Sequence, residues 1–339
     1  MDKIKVGIMG FGTIGKRVAD VVKLQKDMEL VGVTANSYNF RMMAGAEKGI
    51  PMYAVSSEAK EDLSKNGLKT EGMVEDLIKS VDIMVDCAPK KVGAENKEKL
   101  YVPSKVKAIF QGGEKHKIVQ ASFVAQCNYN EALNKDYVRV VSCNTTGMCR
   151  TLSAIDKIAG IERVDATMIR RGADPWDIRH GPMNAIVPVL ELPSHHGPDV
   201  QTVLKNMKVF TTALSVSTSL MHMHNLIVDI KNEVSVEDIL KVWKNTTRVR
   251  VVSNAAMVRS TAEIMELAKD LGRNRGDMPE ICIWKEGIGV QEKKLFYMQA
   301  VHQESDVICE NIDAIRAMMG FEDAEKSIKM TNETMGIKN

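Results

Sequence analysis

Gly10-Phe11-Gly12-Thr13-Ile14-Gly15 constrains this chain more than any other stretch. Ile4, Val6 and Ile8 alternate before it as in a strand, and Ile14, Val18, Val21 and Val22 follow at helical spacing. A GxGxxG between strand and helix has a mechanical reading. Gly10 permits the tight turn, and Gly12 lets a pyrophosphate approach the backbone. Gly15 lets the helix sit close to the strand, with its N-terminal amides facing the phosphates. Segments 30–34, 81–86, 108–110 and 138–141 then read as further strands between helical stretches. Such alternation argues for a parallel sheet covered on both faces.

After about residue 160 the rhythm changes. Segments 164–171, 209–216, 225–230 and 248–252 read as strands. Amphipathic helices intervene at 235–244, opened by the capping pattern Ser235-Val236-Glu237-Asp238, and at 260–271, ended by Gly272. Pro and Gly cluster between 172 and 198, the mark of a long functional loop. A last apolar-periodic helix covers 307–319. The 339 residues correspond to about two domains at roughly 150 residues each. The expected fold is α/β. A Rossmann-type doubly wound parallel sheet spans 1–140 and is completed by a C-terminal helix within 305–339. A mixed α/β catalytic domain with a largely antiparallel sheet spans 141–304.

Lys and Arg number 46 against 44 Asp and Glu, a net charge of +2, which argues against nucleic acid held by bulk charge. No apolar run approaches the roughly eighteen residues a membrane span needs. Met1-Asp2-Lys3-Ile4 leads straight into the strand pattern without a signal-peptide h-region. Six cysteines without a CxxC pair fit a reduced compartment, so a cytoplasmic location is expected.

A carboxylate at the end of the second strand, about twenty residues beyond the glycines, marks NAD by bonding the ribose 2′-OH. Here that stretch is Thr34-Ala35-Asn36-Ser37-Tyr38-Asn39-Phe40-Arg41, with no acid. Neutral donors and an arginine point to NADP as the preferred cofactor, with NAD as the alternative. The cofactor candidates at this stage are Gly10, Gly12, Thr13, Ile14, Gly15, Asn36 and Ser37.

Ser142-Cys143-Asn144-Thr145-Thr146-Gly147 joins the strand at 138–141 to a helical run at 148–158. If Ser142 caps that helix, Cys143 lies in its first turn, where the positive end of the helix dipole favours the nucleophilic thiolate. This segment, continued by Met148-Cys149-Arg150, closely resembles the active-site segment of archaeal-type phosphorylating glyceraldehyde-3-phosphate dehydrogenases. Gly12 to Asp20, Gln111 to His116, Arg170 to Pro175, Pro193 to Val200, Leu220 to Asn225 and Met298 to Ser305 resemble the same family, in the expected order.

The resemblance implies that Cys143 attacks the aldehyde carbon of glyceraldehyde 3-phosphate to give a thiohemiacetal. His222 would act as general base, since its intrinsic pKa suits proton transfer near neutrality. Hydride would pass to the nicotinamide, and inorganic phosphate would release 1,3-bisphosphoglycerate from a thioacyl enzyme, in glycolysis or gluconeogenesis. Gly113, Arg171 and Gln303 join Thr13 and Ile14 on the cofactor side. Ser142, Asn144, Thr145, His195, His196 and Gly197 fall on the substrate side. A homotetramer is also implied.

Bland alternatives stand beside these roles. His224 reads as a packed or capping histidine, on the same face as His222 if the segment is a strand. Arg170 and Arg171 alternate across a strand end, so only one is expected to face the site. His195-His196 lack a ligand at metal spacing and suit phosphate contact better, so no metal is expected. Cys149 reads as a core residue. The family's usual asparagine before the glycine turn is Met9 here, and its usual lysine after the second strand is Ala35, which puts the NADP preference in question. A semialdehyde dehydrogenase with the same thioacyl chemistry and a non-catalytic dinucleotide-binding module remain as alternatives. A cysteine hydrolase would leave the glycine-rich turn unexplained.

Overall fold

The computed structural model describes residues 2–174, 176, 177 and 181–338. The chain divides into two units. The first runs to Val141 and takes in Ile308–Met335, and the second comprises Ser142–Val307 with the residues from Gly336 onward. Each carries an eight-stranded sheet.

In the first unit the strands are β1 (Ile4–Met9), β2 (Met28–Ala35), β3 (Met52–Ala54), β4 (Gly72–Met73), β5 (Ile83–Asp86), β6 (Lys107–Phe110), β7 (Ala121–Phe123) and β8 (Tyr137–Val140). They lie in the order β4-β3-β2-β1-β5-β6-β8-β7, and every pairing is parallel. The chain works outward from β1 to β4, then returns to β5 on the other side of β1. The strand order therefore reverses between β1 and β5, where Met9 pairs with Asp86. A sheet of this kind takes its ligands beyond the carboxyl ends of the strands at such a reversal. Val6, Ile8, Ile83 and Val85 are fully buried, as strands covered on both faces require. The helix Gly15–Leu24 buries Val18, Ala19 and Val22. Strands β3, β4 and β7 are too short for alternation to register, and the sequence alone does not announce them.

Two helices, Ile308–Met318 and Ala324–Met335, complete this unit. Arg316, on the first of them, is buried against the second helix and the turn before β2. It donates to Asp27 at 2.7 and 2.9 Å, to Gln25 at 2.7 Å and to Thr331 at 2.7 Å. Asp313 accepts from Ser327 and Thr331. The second helix buries mainly polar residues, so no apolar period marks it.

The second unit holds β9 (Ile161–Arg171), β10 (Val187–Pro188), β11 (Val209–Val216), β12 (His222–Ile230), β13 (Val249–Val252), β14 (Ile281–Trp284), β15 (Gly289–Gln291) and β16 (Lys294–Val301). The order is β10-β11-β9-β12-β16-β14-β13, with β15 beside β16. Only β9–β11 and β13–β14 are parallel, so the sheet is mixed and largely antiparallel. Both sheets match the fold class expected from sequence. Strand β12 begins three residues before the apolar run that announces it, because His222 and His224 occupy its inward face. Burial alternates along it, with His222, His224, Leu226, Val228 and Ile230 inside.

The helix Cys143–Ala159 lies on this sheet. A Cβ on Gly147 would stand 2.8 Å from Val301 Cγ2, so glycine permits the close approach. Buried Arg150 donates to the carbonyls of Pro279 and Asp306 at 2.8 and 2.7 Å, and Tyr297 and Trp243 reach Thr151. The helix carrying the candidate nucleophile is thus fixed along its length.

Candidate active site

In the first unit the candidate residues gather at the carboxyl edge of the parallel sheet. Gly10 has φ +86°, a left-handed conformation that disfavours a side chain, and its amide donates to Thr34 Oγ1 at 2.8 Å. A Cβ on Gly15 would stand 2.0 Å from the Gly10 carbonyl oxygen, so the turn closes only with glycine there. A Cβ on Gly12 would meet nothing within 4 Å, which leaves open space beside the backbone. The helix Gly15–Leu24 has no side-chain cap and no acid in its first turn. Arg17 donates to the Thr13 carbonyl at 2.9 Å and braces the loop. A tight turn, open room at Gly12 and an uncapped helix start together fit a dinucleotide pyrophosphate. Gly113 follows β6 and lies against Lys90, 3.6 Å from its Cβ to a Cβ built on the glycine, in the loop after β5.

Asn36 and Ser37 are exposed just past β2, and Ala35 is fully buried. The sequence shows no acid here, but the fold brings one. Asp62, from the helix Ser57–Lys65, accepts the Tyr38 amide at 2.6 Å. Nothing local in the sequence signals this carboxylate. Sequence reading also passes over Asp86, which closes β5. It accepts from Tyr101, Asn96 and the Ala88 amide at 2.7, 2.8 and 2.9 Å, anchoring the loop after β5. Burial raises its pKa in spite of these bonds.

In the second unit Ser142 caps the helix Cys143–Ala159, its Oγ accepting from the Thr145 amide at 3.3 Å. Cys143 therefore stands at the first helical position. The thiolate that the helix dipole favours is opposed by the rest of the site. Burial and then Asp306 push the Cys143 thiol up, and the Asn144 amide, Arg171 and the Cys143 amide oppose this without overcoming it. The dipole acts over one turn, and burial works against it although Cys143 is only partly buried.

His222 lies on β12 with its Nδ1 accepting the Arg171 backbone N–H at 3.0 Å. Burial, then His224, Arg171, Arg170 and His196, hold it well below the ordinary histidine range. The neutral ring consequently carries its proton on Nε2 and enters the site as a donor, whereas a general base needs a lone pair there. Arg171 bears on both Cys143 and His222, which places the two candidate residues in one electrostatic neighbourhood.

The remaining candidates divide by what they already hold. Asn144 bridges two histidines, His224 Nε2 at 2.8 Å and His196 Nε2 at 3.2 Å. His196 also meets Ser194 Oγ through Nδ1 at 3.0 Å, and burial followed by His195 and Arg170 takes its pKa down to about 3. With both ring nitrogens occupied, His196 braces the site from within. The Gly197 amide is likewise held by Thr211, at 2.9 Å. Thr145 is buried and donates to Asp199 at 2.6 Å. His195 is exposed and stacks on His196 with centroids 4.0 Å apart.

Arg171 and Gln303, both assigned to the cofactor side, meet each other. The Gln303 amide oxygen accepts from Arg171 Nε at 2.6 Å. Arg171 also bonds Glu304 at 3.1 Å and Asp174. Arg170 reaches Ser215 at 3.4 Å, and its Nε is buried with no partner among the described residues. It acts on His196 and His222, so both arginines lie near the histidine cluster, where simple alternation would have put one. His224 is packed and hydrogen-bonded on the same strand face as His222. Pro175, within a segment matched to the family, lies outside the described residues. Among the described residues no group of His, Cys, Asp or Glu is placed to hold a metal ion, and no helix is long and apolar enough to cross a membrane.

Residues 142–292 match the family model for the glyceraldehyde 3-phosphate dehydrogenase C-terminal domain. Glyceraldehyde-3-phosphate dehydrogenase of Methanococcoides burtonii is 53% identical over 339 residues, covering 99% of this chain and 100% of that protein. The Pyrococcus furiosus enzyme of the same name is 54% identical over 99% of each chain. Among solved structures, aspartate semialdehyde dehydrogenase II of Vibrio cholerae covers 98% of each chain with a TM-score of 0.66 at 12% identity, a likeness of fold alone. With more than half its residues shared end to end with these relatives, the chain belongs to the glyceraldehyde-3-phosphate dehydrogenase family, NAD(P)-dependent oxidoreductases that act on an aldehyde group.

Proposed function

We propose that this protein oxidises glyceraldehyde 3-phosphate to 1,3-bisphosphoglycerate, with inorganic phosphate as second substrate, in glycolysis or gluconeogenesis. The observation that carries the reading is Cys143 at the first position of a capped helix, with the Asn144 amide against its sulfur and His222 sharing Arg171 with it. Cys143 Sγ bonds the aldehyde carbon, the thiol proton leaves to solvent, and the carbonyl oxygen becomes an oxyanion. His222 Nε2–H is the donor suited to hold that oxygen. A nicotinamide dinucleotide, when bound, supplies the acceptor for the hydride that leaves the same carbon. Cys143 is then a thioester. An oxygen of inorganic phosphate attacks the acyl carbon, the C–S bond breaks, and the thiolate returns as the acyl phosphate departs. The raised thiol pKa means that substrate and cofactor binding must complete activation of the sulfur.

The substrate phosphate needs convergent donors. We assign this role to exposed His195 and to Arg170, whose Nε has no partner among the described residues, with His196, Gly197 and Thr145 behind them. On the cofactor side, Gly10, Gly12, Thr13, Ile14, Gly15 and Gly113 form the cradle. Asn36, Ser37 and Arg41 favour NADP, and Asp62 works against a 2′-phosphate and keeps NAD competitive. Met183, Ile186, Leu190 and Leu192 are 85%, 70%, 88% and 62% exposed in one loop, which supports burial against further copies in a homotetramer. Six free thiols support a reducing, cytoplasmic setting.

The test follows reduced cofactor by its near-ultraviolet absorbance with glyceraldehyde 3-phosphate and NADP+ or NAD+, with phosphate supplied or withheld. Phosphate-dependent turnover that is abolished by Cys143→Ser is expected. Turnover indifferent to phosphate would overturn the acyl-transfer step, and an active Cys143→Ser would overturn the nucleophile.

A further inference from the structure

We infer that His224 and Gln299 are positioning residues, which hold Asn144, the residue adjoining Cys143, through a buried hydrogen-bond chain. The chain lies wholly within the second unit. Gln299 Nε2 meets His224 Nδ1 at 3.0 Å, and His224 Nε2 meets Asn144 Oδ1 at 2.8 Å. Asn144 Nδ2 meets His196 Nε2 at 3.2 Å, and His196 Nδ1 meets Ser194 Oγ at 3.0 Å. Ser194 Oγ meets Thr211 Oγ1 at 2.8 Å. All of these residues are buried, between 0% and 4% exposed.

Two backbone groups at the Thr211 end favour one direction. Thr211 Oγ1 accepts the Gly197 N–H at 2.9 Å and donates its own proton to the Ser194 carbonyl at 2.9 Å. Its remaining lone pair takes the Ser194 hydroxyl proton, so Ser194 Oγ must accept from His196 Nδ1–H. A neutral His196 then has a lone pair on Nε2, which takes the Asn144 Nδ2–H and turns Asn144 Oδ1 toward His224. His224 therefore carries its proton on Nε2, and its Nδ1 accepts from Gln299. This assignment satisfies every link of the chain and leaves Gln299 Oε1 buried without a partner among the described residues. Burial keeps both rings neutral, with pKa values down to about 3.

Asn144 is the pivot because it adjoins the nucleophile. Its side chain is clamped by two histidines, and its amide N–H is one of the groups that lower the Cys143 thiol pKa against burial and Asp306, beside Arg171 and the Cys143 amide itself. His224 and Gln299 act on the sulfur through Asn144 and touch neither substrate nor cofactor. A cut chain frees the carboxamide to turn over, and the first helical turn loses its anchor.

The inference rests on Cys143 as nucleophile, and its test keeps the two apart. In the full-length protein, alkylation of Cys143 by iodoacetamide is followed at the peptide level across pH, alongside kcat, KM and Tm. His224→Leu removes the donor to Asn144, and His224→Gln restores an N–H at the same end of the side chain. His224→Leu should move the alkylation profile up by about one pH unit, hence about tenfold slower reaction at fixed pH, with kcat falling more than KM rises. His224→Gln should recover to within about threefold. A folded His224→Leu with the wild-type profile, or a His224→Gln as impaired as the leucine variant, overturns the inference. Should His224→Leu not fold, Gln299→Leu cuts the chain one link earlier. The same upward shift there supports the inference, and an unchanged profile overturns it. Turnover by Cys143→Ser would instead remove the reading on which it rests.

Discussion

Replacing His222 by Gln or by Ala separates a hydrogen-bond donor from a general base. Nδ1 of His222 already accepts the Arg171 amide at 3.0 Å, so the neutral ring offers Nε2–H and no lone pair. Burial and the neighbouring His224, Arg171, Arg170 and His196 hold its pKa well below the ordinary value, so the ring stays neutral across the working range. Ala removes one donor to the developing oxyanion, a loss of about 10²–10³ in kcat, or about 3–4 kcal/mol. Gln keeps an N–H donor but has no basic nitrogen. Ordering its longer side chain costs about 0.5–1.5 kcal/mol, so Gln should remain within about tenfold of wild type. The assay is kcat and kcat/KM for glyceraldehyde 3-phosphate between about pH 6 and 9, and the wild-type profile should show no acid limb near the usual histidine value of about 6.5. A glutamine variant as inactive as alanine, together with an acid limb near that value, would refute the donor reading and restore the base.

Further predictions follow from single contacts. Arg170→Leu should raise KM for glyceraldehyde 3-phosphate about tenfold or more while leaving unphosphorylated glyceraldehyde unaffected, since one charge-assisted bond to phosphate is lost; equal effects on both substrates would remove Arg170 from the phosphate site. Asp62→Asn keeps an oxygen for the Tyr38 amide and removes the charge, so the NADP-to-NAD ratio of kcat/KM should rise about fivefold, or ~1 kcal/mol. Arg316→Met leaves Asp27 and buried Asp313 without their cation and should cost about 3–5 kcal/mol, read as a fall in Tm. Burial raises the Asp27 pKa, but the bond to Arg316 and its charge outweigh this and hold it below the usual carboxylate value. The contribution of this pair to stability is therefore present above that value and lost as pH falls through the lower folded one. Acid titration of Tm should lose the difference between wild type and Arg316→Met in that window.

What the sequence disclosed follows from the range over which each signal acts. Gly10, Gly12 and Gly15 are legible because the turn they form is local, and the 2.0 Å approach that forbids a Cβ at Gly15 involves a carbonyl only five residues away. Ser142 and the capping box at Ser235 are local for the same reason. The commitments of the site residues are not local. Arg171 reads as a cofactor contact in sequence because Glu304 and Gln303, more than a hundred residues on, cannot be seen occupying it. His196 reads as a substrate contact until Asn144 and Ser194 take its two nitrogens. Asp62 restores a carboxylate to a loop whose own residues have none.

The thiol of Cys143 shows why position alone misleads about reactivity. Its place in the helix is fixed by the capping serine, and from that place the dipole argument favours thiolate. Burial and the Asp306 carboxylate impose a larger opposing effect that only tertiary structure contains. His224 shows the converse. Two residues beyond His222 on β12 it reads as packing, and it is buried. Yet both its ring nitrogens are engaged, Nε2 with Asn144 and Nδ1 with Gln299. A residue can thus fill the core and still control the orientation of the group next to the nucleophile, because a buried hydrogen-bond network transmits orientation along its length.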